Sequence, residues 1–321
     1  MIVITGAAGF IGSCILSELN RIGREDIIAV DHLDDSLKEE NLKNKKFIAY
    51  QDKKDFLSFV RNNQLNQAVE TIIHMGACSS TTLQDERYFE ENNVEYSKHL
   101  AHWCFENKKR FIYASSAATY GDGALGYDDD ESMLPQLKPL NLYGLSKQKF
   151  DCWILESGYF DRCVGLKFFN VYGPNEYHKE DMRSVIAKAY QVVKEKGKMD
   201  LFKSYEDEYA HGEQKRDFIY VKDAVKVVMF FYKNPCINGI FNVGTGKART
   251  WNDLARALFK ALKKKPVIHY IDMPEDLRPR YQYFTQANMK KLRLAGYREP
   301  FTELEQGVSD YVPYLEKHAY L

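Results

Sequence analysis

The chain begins Met1-Ile-Val-Ile-Thr-Gly6-Ala-Ala-Gly9-Phe-Ile-Gly12, a short apolar run followed by glycines at three-residue spacing. Few folds accept such a start. Ile2, Val3 and Ile4 are β-branched and contiguous rather than alternating, the pattern of a parallel strand covered on both faces. Gly6 permits a tight turn, Gly9 lets the backbone approach a pyrophosphate, and Gly12 lets helix and strand pack closely. An amphipathic helix over about 9–22 then aims free N–H groups and the positive end of its dipole at phosphate. The GxxGxxG spacing is one residue longer in its first gap than the usual fingerprint, and glycines alone also simply break structure. Their place between strand and helix, followed by Ile27-Ile-Ala-Val30-Asp31, makes this a dinucleotide-binding turn.

Strand patterns recur ahead of helical stretches at 2–5, 27–30, 47–49, 71–74, 110–114 and 164–168. Alternation of this kind predicts an α/β fold, a doubly wound parallel Rossmann-type sheet with a smaller mixed α/β substrate lobe. Right-handed crossovers bring the carboxyl ends of these strands to one edge, where polar residues face a ligand. After about Asn170 the pattern changes to a polar loop and a helix near 182–196, with strand patterns again at 218–221 and 239–243. The expected nucleotide domain is 1–170, rejoined by about 217–246 and 290–305. The substrate lobe takes about 171–216, 247–289 and 306–321.

Charge is balanced, 45 Lys+Arg against 45 Asp+Glu, which gives nucleic acid no basic surface and points to a small-molecule partner. Cys14, Cys78, Cys104, Cys152, Cys163 and Cys236 form no CxxC pair, and a strand beginning at residue 2 leaves no room for a signal peptide; a reduced, cytoplasmic setting is expected. No apolar run approaches the ~20 residues needed to cross a bilayer, so no membrane partner is expected. The eight histidines make no HExxH or Cys/His cluster, so no metal is expected. Asp128-Asp-Asp-Glu131 lacks the spacing of a calcium loop and reads as a solvated acidic loop.

Tyr143 and Lys147 are four apart in Leu142-Tyr-Gly-Leu-Ser-Lys147 and share one helical face. A lysine ammonium beside a phenol stabilises phenolate, so Tyr143 is expected to have a lowered pKa and act as a general base. Tyr50/Lys54 and Tyr190/Lys194 have the same spacing. Only Tyr143 follows a strand ending in Ala114-Ser115-Ser116, where the Ser116 hydroxyl is placed to hold a substrate alcohol or carbonyl. Serine, tyrosine and lysine together form an alcohol-oxidation site next to a nicotinamide.

With these features the chain resembles the extended short-chain dehydrogenase/reductase family of nucleotide-sugar enzymes. Within it, His74-Met-Gly-Ala-Cys-Ser-Ser-Thr-Thr82, Tyr113-Ala-Ser-Ser-Ala-Ala-Thr-Tyr-Gly121, Phe169-Asn-Val-Tyr-Gly-Pro174, His178-Lys179, Lys215-Arg-Asp-Phe218 and Arg280-Tyr-Gln-Tyr-Phe-Thr-Gln286 are similar to the branch acting on ADP-linked heptoses. The resemblance implies inversion at C6 of an ADP-heptose through a 6-keto sugar, with hydride passed to and from NADP, in the supply of a lipopolysaccharide inner-core precursor. It also implies a homo-oligomer, a pentamer. It assigns Lys179 as the second acid/base group beside Tyr143, Lys147 to the nicotinamide ribose, and Ser116 to the reacting oxygen. Cofactor contacts follow at Gly6, Gly9, Phe10, Ile11, Gly12, Asp31, His32, Lys38, Lys53, Met75, Gly76, Ala77, Cys78, Ser79, Asn92, Val171 and Lys179, and substrate contacts at Asn170, Asp181, Lys188, Phe202, Lys203, Ser204, Arg216 and Tyr281. Lys188, Lys203 and the longer run 205–214 depart from the family pattern. Asp31 favours the 2'-hydroxyl of NAD, whereas Lys38 and Lys53 match positions that neutralise the 2'-phosphate of NADP; NADP is expected, with NAD the alternative. The alternatives are another extended-family nucleotide-sugar epimerase, such as a 4-epimerase, a 4,6-dehydratase, disfavoured because Ala117-Ala118 stands where an acidic pair is needed, and a non-catalytic dinucleotide sensor, which would not require Tyr143 and Lys147.

Overall fold

The computed structural model describes residues 1–33, 36–275 and 277–321. Its first half alternates strand and helix: β1 (Ile2–Thr5), α1 (Phe10–Arg21), β2 (Ile27–Asp31), α2 (Ser36–Glu40), β3 (Ala49–Asp52), α3 (Lys53–Arg61), β4 (Thr71–His74), α4 (Glu86–Phe89), α5 (Tyr96–Glu106), β5 (Arg110–Ser116), α6 (Leu142–Glu156) and β6 (Cys163–Phe168). There follow β7 (Asn170–Tyr172), α7 (Val185–Lys196), β8 (Met199–Phe202), β9 (Lys215–Tyr220), α8 (Val221–Lys233), β10 (Gly239–Val243), β11 (Ala248–Thr250), α9 (Trp251–Ala261), β12 (Ile268–Ile271), α10 (Lys290–Leu294) and α11 (Leu304–Lys317).

Seven strands form one parallel sheet in the order β10-β6-β5-β4-β1-β2-β3. Chain order reverses between β1 and β4, and the crevice at such a switch point, outside the carboxyl ends of the strands, is where this architecture binds ligands. The contiguous apolar runs follow from coverage on both faces. Ile15, Leu16 and Leu19 of α1 pack with α8 on one side, while Phe56 and Val60 of α3, Leu100 of α5 and Phe150 of α6 fill the other. Each fully buried side chain of this size contributes ~1.5–3 kcal/mol.

A three-stranded sheet, β11-β9-β7, and a two-stranded one, β12-β8, build the second lobe with α7, α9 and α11. The segment 217–246 divides between the two: β9 pairs with β7 and β11, whereas β10 closes the edge of the main sheet on β6.

Two local expectations shift. The strand expected at 47–49 lies at Ala49–Asp52, where it pairs with β2 and ends at Asp52, whose carboxylate caps α3 through the Lys54 N–H at 2.8 Å. The acidic run is solvated only in part, with Asp128 and Asp130 exposed and the other two carboxylates turned inward. Asp129 is buried and accepts the Asn242 N–H at 2.7 Å, and Glu131 accepts the Ile240 N–H at 3.1 Å and pairs with Lys291 at 2.5 Å. These carboxylates satisfy alternate outward N–H groups of edge strand β10, which would otherwise invite another strand. Burial pushes the Asp129 carboxyl up to about 6.

His74 ends β4 fully enclosed, between the Thr5 hydroxyl at 2.5 Å and the Ser97 hydroxyl at 2.8 Å. Burial first, and the Lys147 charge second, push its imidazole down to about 3. The unfolded chain therefore binds the extra proton at higher pH, and the stability this group contributes is present above about 6.5 and is lost as pH falls towards 3. Urea unfolding at pH 5 is expected to show a loss of about 2 kcal/mol relative to pH 7, at ~1.4 kcal/mol per pH unit below the ordinary histidine pKa. The loss should shrink in His74→Gln; an equal loss there would assign it to other groups.

Candidate active site

A cavity of about 1280 Å³ opens over the switch point, larger than the ~300–1,000 Å³ of most small-molecule pockets. One half is built by the glycine turn. Gly6 has φ +68°, and a Cβ there would lie 2.6 Å from the Gly76 nitrogen; a Cβ on Gly12 would overlap the Gly6 carbonyl oxygen. No side chain closes the start of α1 at Gly9, so the first N–H groups of the helix, at Phe10 and Ile11, border the cavity. This cradle fits a dinucleotide pyrophosphate. Met75, Gly76, Ala77, Cys78 and Ser79, after β4, form the facing wall.

At the adenosine end, Asp31 is engaged on both carboxylate oxygens. Oδ2 accepts the Ala8 N–H at 2.8 Å; Oδ1 accepts the His32 N–H at 2.7 Å and meets the Lys38 ammonium at 2.6 Å. Asp31 and Lys38 line the cavity, whereas His32, Lys53 and Asn92 do not. The His32 Nδ1 pairs with Asp52 at 2.9 Å, and Lys53 donates to Asn92 at 3.0 Å.

The neighbouring Asn93, absent from the sequence-derived set, organises the wall. Its side chain brackets Cys78, accepting from the Cys78 N–H at 2.8 Å and donating to the Cys78 carbonyl at 2.9 Å, and donates to the Ser146 hydroxyl at 2.9 Å. Ser146 in turn donates to the Tyr143 carbonyl at 2.7 Å. Asn93 sits in a π-helical turn, Glu90–Glu95, which breaks the usual helical period, so the sequence pattern could not distinguish it from Asn92.

Ser116, Tyr143 and Lys147 come together on the cavity wall. Asn141 caps α6 through the Gly144 N–H at 2.8 Å, and at Gly144 a Cβ would meet the Ala118 carbonyl oxygen at 2.7 Å. That close approach brings the first turn of α6 against the end of β5, where Tyr143 stands beside Ser116 on the cavity wall. Lys147, 4% exposed, donates to the Ala114 carbonyl at 2.8 Å, and burial pushes its ammonium down to about 8. The expectation that Lys147 lowers the Tyr143 pKa is not met. Burial holds the phenol above its ordinary value, with the Ser116 side chain opposing, so Tyr143 is protonated at neutral pH.

Behind this wall, Asp151 accepts from Ser115 at 2.6 Å and from Tyr113 at 2.9 Å, and pairs with Lys167 at 3.3 Å. Lys167 also donates to Thr119 at 2.6 Å.

From the second lobe come Asn170 and Val171 of β7 and, beyond them, Lys179, whose ammonium stands 5.4 Å over the Phe10 ring. Burial lowers the Lys179 pKa, with Glu176 opposing. Other expected substrate residues lie off the cavity. Asp181 and Lys188 are exposed, with Lys188 bonded to the Asp181 carbonyl at 3.2 Å. Phe202 ends β8, Lys203 pairs with Asp272 at 3.1 Å, and the Ser204 N–H donates to His211 at 3.0 Å, tying down the longer loop 205–214.

Arg216 is 6% exposed, between the Trp251 ring at 5.7 Å and the Tyr281 ring at 5.1 Å, and donates to the Lys215 and Gln282 carbonyls. Trp251, Gln282 and Thr285 form the wall there instead of Arg216 and Tyr281. Ser80, Thr81 and Arg183 also line the cavity. The two hydroxyls stood within the Ala-Cys-Ser-Ser-Thr-Thr motif, whereas nothing in the pattern marked Arg183. Among the described residues no group of three His, Cys, Asp or Glu is placed to hold a metal, and no helix is long and apolar enough to cross a membrane.

Residues 2–244 match the family described as NAD dependent epimerase/dehydratase. A protein of Nitratidesulfovibrio vulgaris (strain DP4) named ADP-L-glycero-D-manno-heptose-6-epimerase is 55% identical over 312 residues, 97% of each chain. The chain belongs to the ADP-L-glycero-D-manno-heptose-6-epimerase family. A heptose-6-epimerase of Fusobacterium nucleatum subsp. nucleatum is 46% identical over 327 residues, covering 99% of this chain and 98% of its own. The crystal structure of the Helicobacter pylori heptose-6-epimerase superposes with a TM-score of 0.81 at 28% identity, over 98% of this chain and 96% of that one. As an epimerase of this family the protein is an isomerase with a nicotinamide dinucleotide cofactor.

Proposed function

We propose that this protein inverts C6 of ADP-D-glycero-D-manno-heptose to give the L-glycero epimer, a precursor of the lipopolysaccharide inner core. The observation that carries this reading is that Ser116, Tyr143, Lys147 and Lys179 line one cavity with the glycine cradle. The glycine cradle and Lys147 would hold the dinucleotide, which when bound would supply hydride transfer to and from C6 of the sugar. Ser116 holds the reacting oxygen, and the Tyr143 phenol exchanges a proton with that oxygen. Lys147, fixed on the Ala114 carbonyl, orients the cofactor ribose and carries the charge that favours deprotonation of Tyr143 in the working complex. The second proton transfer falls to Lys179, which enters from a different element and whose burial lowers its pKa and so eases loss of its proton.

For the cofactor, our reading is NADP over NAD, because the Lys38 ammonium neutralises Asp31, a carboxylate that would repel a 2'-phosphate. NAD binding tenfold tighter than NADP would overturn it. By family resemblance we also propose a cytoplasmic homo-oligomer, a pentamer, which sedimentation velocity reads directly.

Proton NMR of purified enzyme with ADP-D-glycero-D-manno-heptose and no added cofactor tests the reaction: L-glycero signals without net reduction support it, and unchanged substrate in dinucleotide-containing protein refutes the substrate. Lys179→Met is expected to lower kcat by ~10²-fold or more while dinucleotide content stays unchanged. A wild-type rate would remove Lys179 from the chemistry.

A further inference from the structure

The segment that carries Lys179 is held by the far end of the chain. Three consecutive residues ahead of it, all buried, are each bound from α11 or the residues after it. Asn175 accepts the Leu321 N–H at 2.8 Å on its Oδ1. The Glu176 carboxylate accepts the Tyr311 hydroxyl at 3.0 Å. Tyr177 donates its hydroxyl to the Tyr314 carbonyl at 2.9 Å and the Ala319 carbonyl at 3.1 Å, and its ring stacks on His318 at 4.4 Å and meets the Tyr320 ring edge-on at 5.1 Å. His318, at φ +48°, turns the chain back at the end of α11 so that residues 319–321 run over this segment.

The other side of the same segment is tied to the cofactor half. Asn175 donates to the Ser13 hydroxyl of α1 at 2.9 Å, and Asn41 donates to the Asn175 carbonyl at 3.1 Å and the Ala8 carbonyl at 2.8 Å. Residues 175–177 are thus gripped between the glycine-turn helix and the chain's last residues, and Lys179 follows two positions later over Phe10.

We infer that residues 318–321 are a positioning element for Lys179, setting where its ammonium stands relative to the bound sugar without touching substrate or cofactor themselves. This rests on the reading of Lys179 as an acid/base group. Catalytic geometry is steep in distance: a 1 Å misplacement costs ~10²-fold in rate. A clamp of two rings and two hydrogen bonds on adjoining residues restricts such movement, and because it lies outside the cavity its loss leaves the ligand contacts in place.

The test is the double variant His318→Gly/Tyr320→Ala in the full chain. Glycine keeps the left-handed turn at 318, and His318 is exposed, so the core is not disturbed. The expected result is a kcat lower by about ten- to a hundredfold, with KM for the ADP-heptose and dinucleotide content unchanged, and with much of the rate restored when position 320 is Phe instead of Ala. In a Lys179→Met background the same double change should cost nothing further. Wild-type kcat in the double variant, with Lys179→Met impaired, overturns the inference and leaves the reading of Lys179 standing. An undiminished loss in the Lys179→Met background also overturns it, since the tail would then act through another group. A wild-type rate for Lys179→Met itself overturns the reading, and the inference with it.

Discussion

Tyr143→Phe is expected to lower epimerisation by ~10²–10⁴-fold, the range that general acid/base groups contribute, while leaving dinucleotide content and the unfolding midpoint close to those of the parent. The ring stays, so packing in the first turn of α6 is kept. What is lost is the phenol hydroxyl beside Ser116 at the cavity wall. Burial keeps that phenol protonated at neutral pH, so in the resting protein Tyr143 is poised as the donor. Its action as acceptor depends on charge brought near it when ligands fill the site, with Lys147 one turn away. Steady-state kcat, together with dinucleotide extracted from the purified variant, measures both halves of the expectation. A rate within tenfold of the parent would place proton transfer on another group.

Asp151→Ala is expected to cost ~3–5 kcal/mol of stability, a large share of the ~5–15 kcal/mol typical of a folded protein. Asp151 and Lys167 are both 0% exposed, and the change strands the Lys167 ammonium with only the Thr119 hydroxyl at 2.6 Å and the Tyr120 ring at 4.7 Å. It also removes the acceptor of the Ser115 and Tyr113 hydroxyls, beside the strand end that presents Ser116. Most of the penalty is an uncompensated buried charge, so the double variant Asp151→Leu/Lys167→Met should recover much of it. Denaturant unfolding of the two proteins decides the matter. A loss below about 1 kcal/mol in Asp151→Ala would mean that Lys167 adopts its neutral form readily, the direction in which burial already pushes it.

The parts of this protein legible in its sequence are those whose geometry is set inside one element or across one turn. The unbroken run Ile2-Val-Ile4 and glycines at 6, 9 and 12 sufficed to place β1, α1 and the cofactor cradle between them, because a buried strand and an uncapped helix start have local signatures. Tyr143 and Lys147 were found by a spacing that any helix turns into a shared face. The parts decided only by tertiary structure depend on partners far along the chain. Arg216 packs between Trp251 and Tyr281, Asp129 and Glu131 close an edge strand more than 100 residues away, and Asn93 rather than Asn92 brackets Cys78. The Tyr143 pKa also runs opposite to the local argument, since burial in the folded chain raises it while the Lys147 ammonium is turned to the Ala114 carbonyl. Residue spacing encodes the period of an element and the face it buries. Which distant side chain meets that face, and how much water is left around it, exist only once the chain has packed.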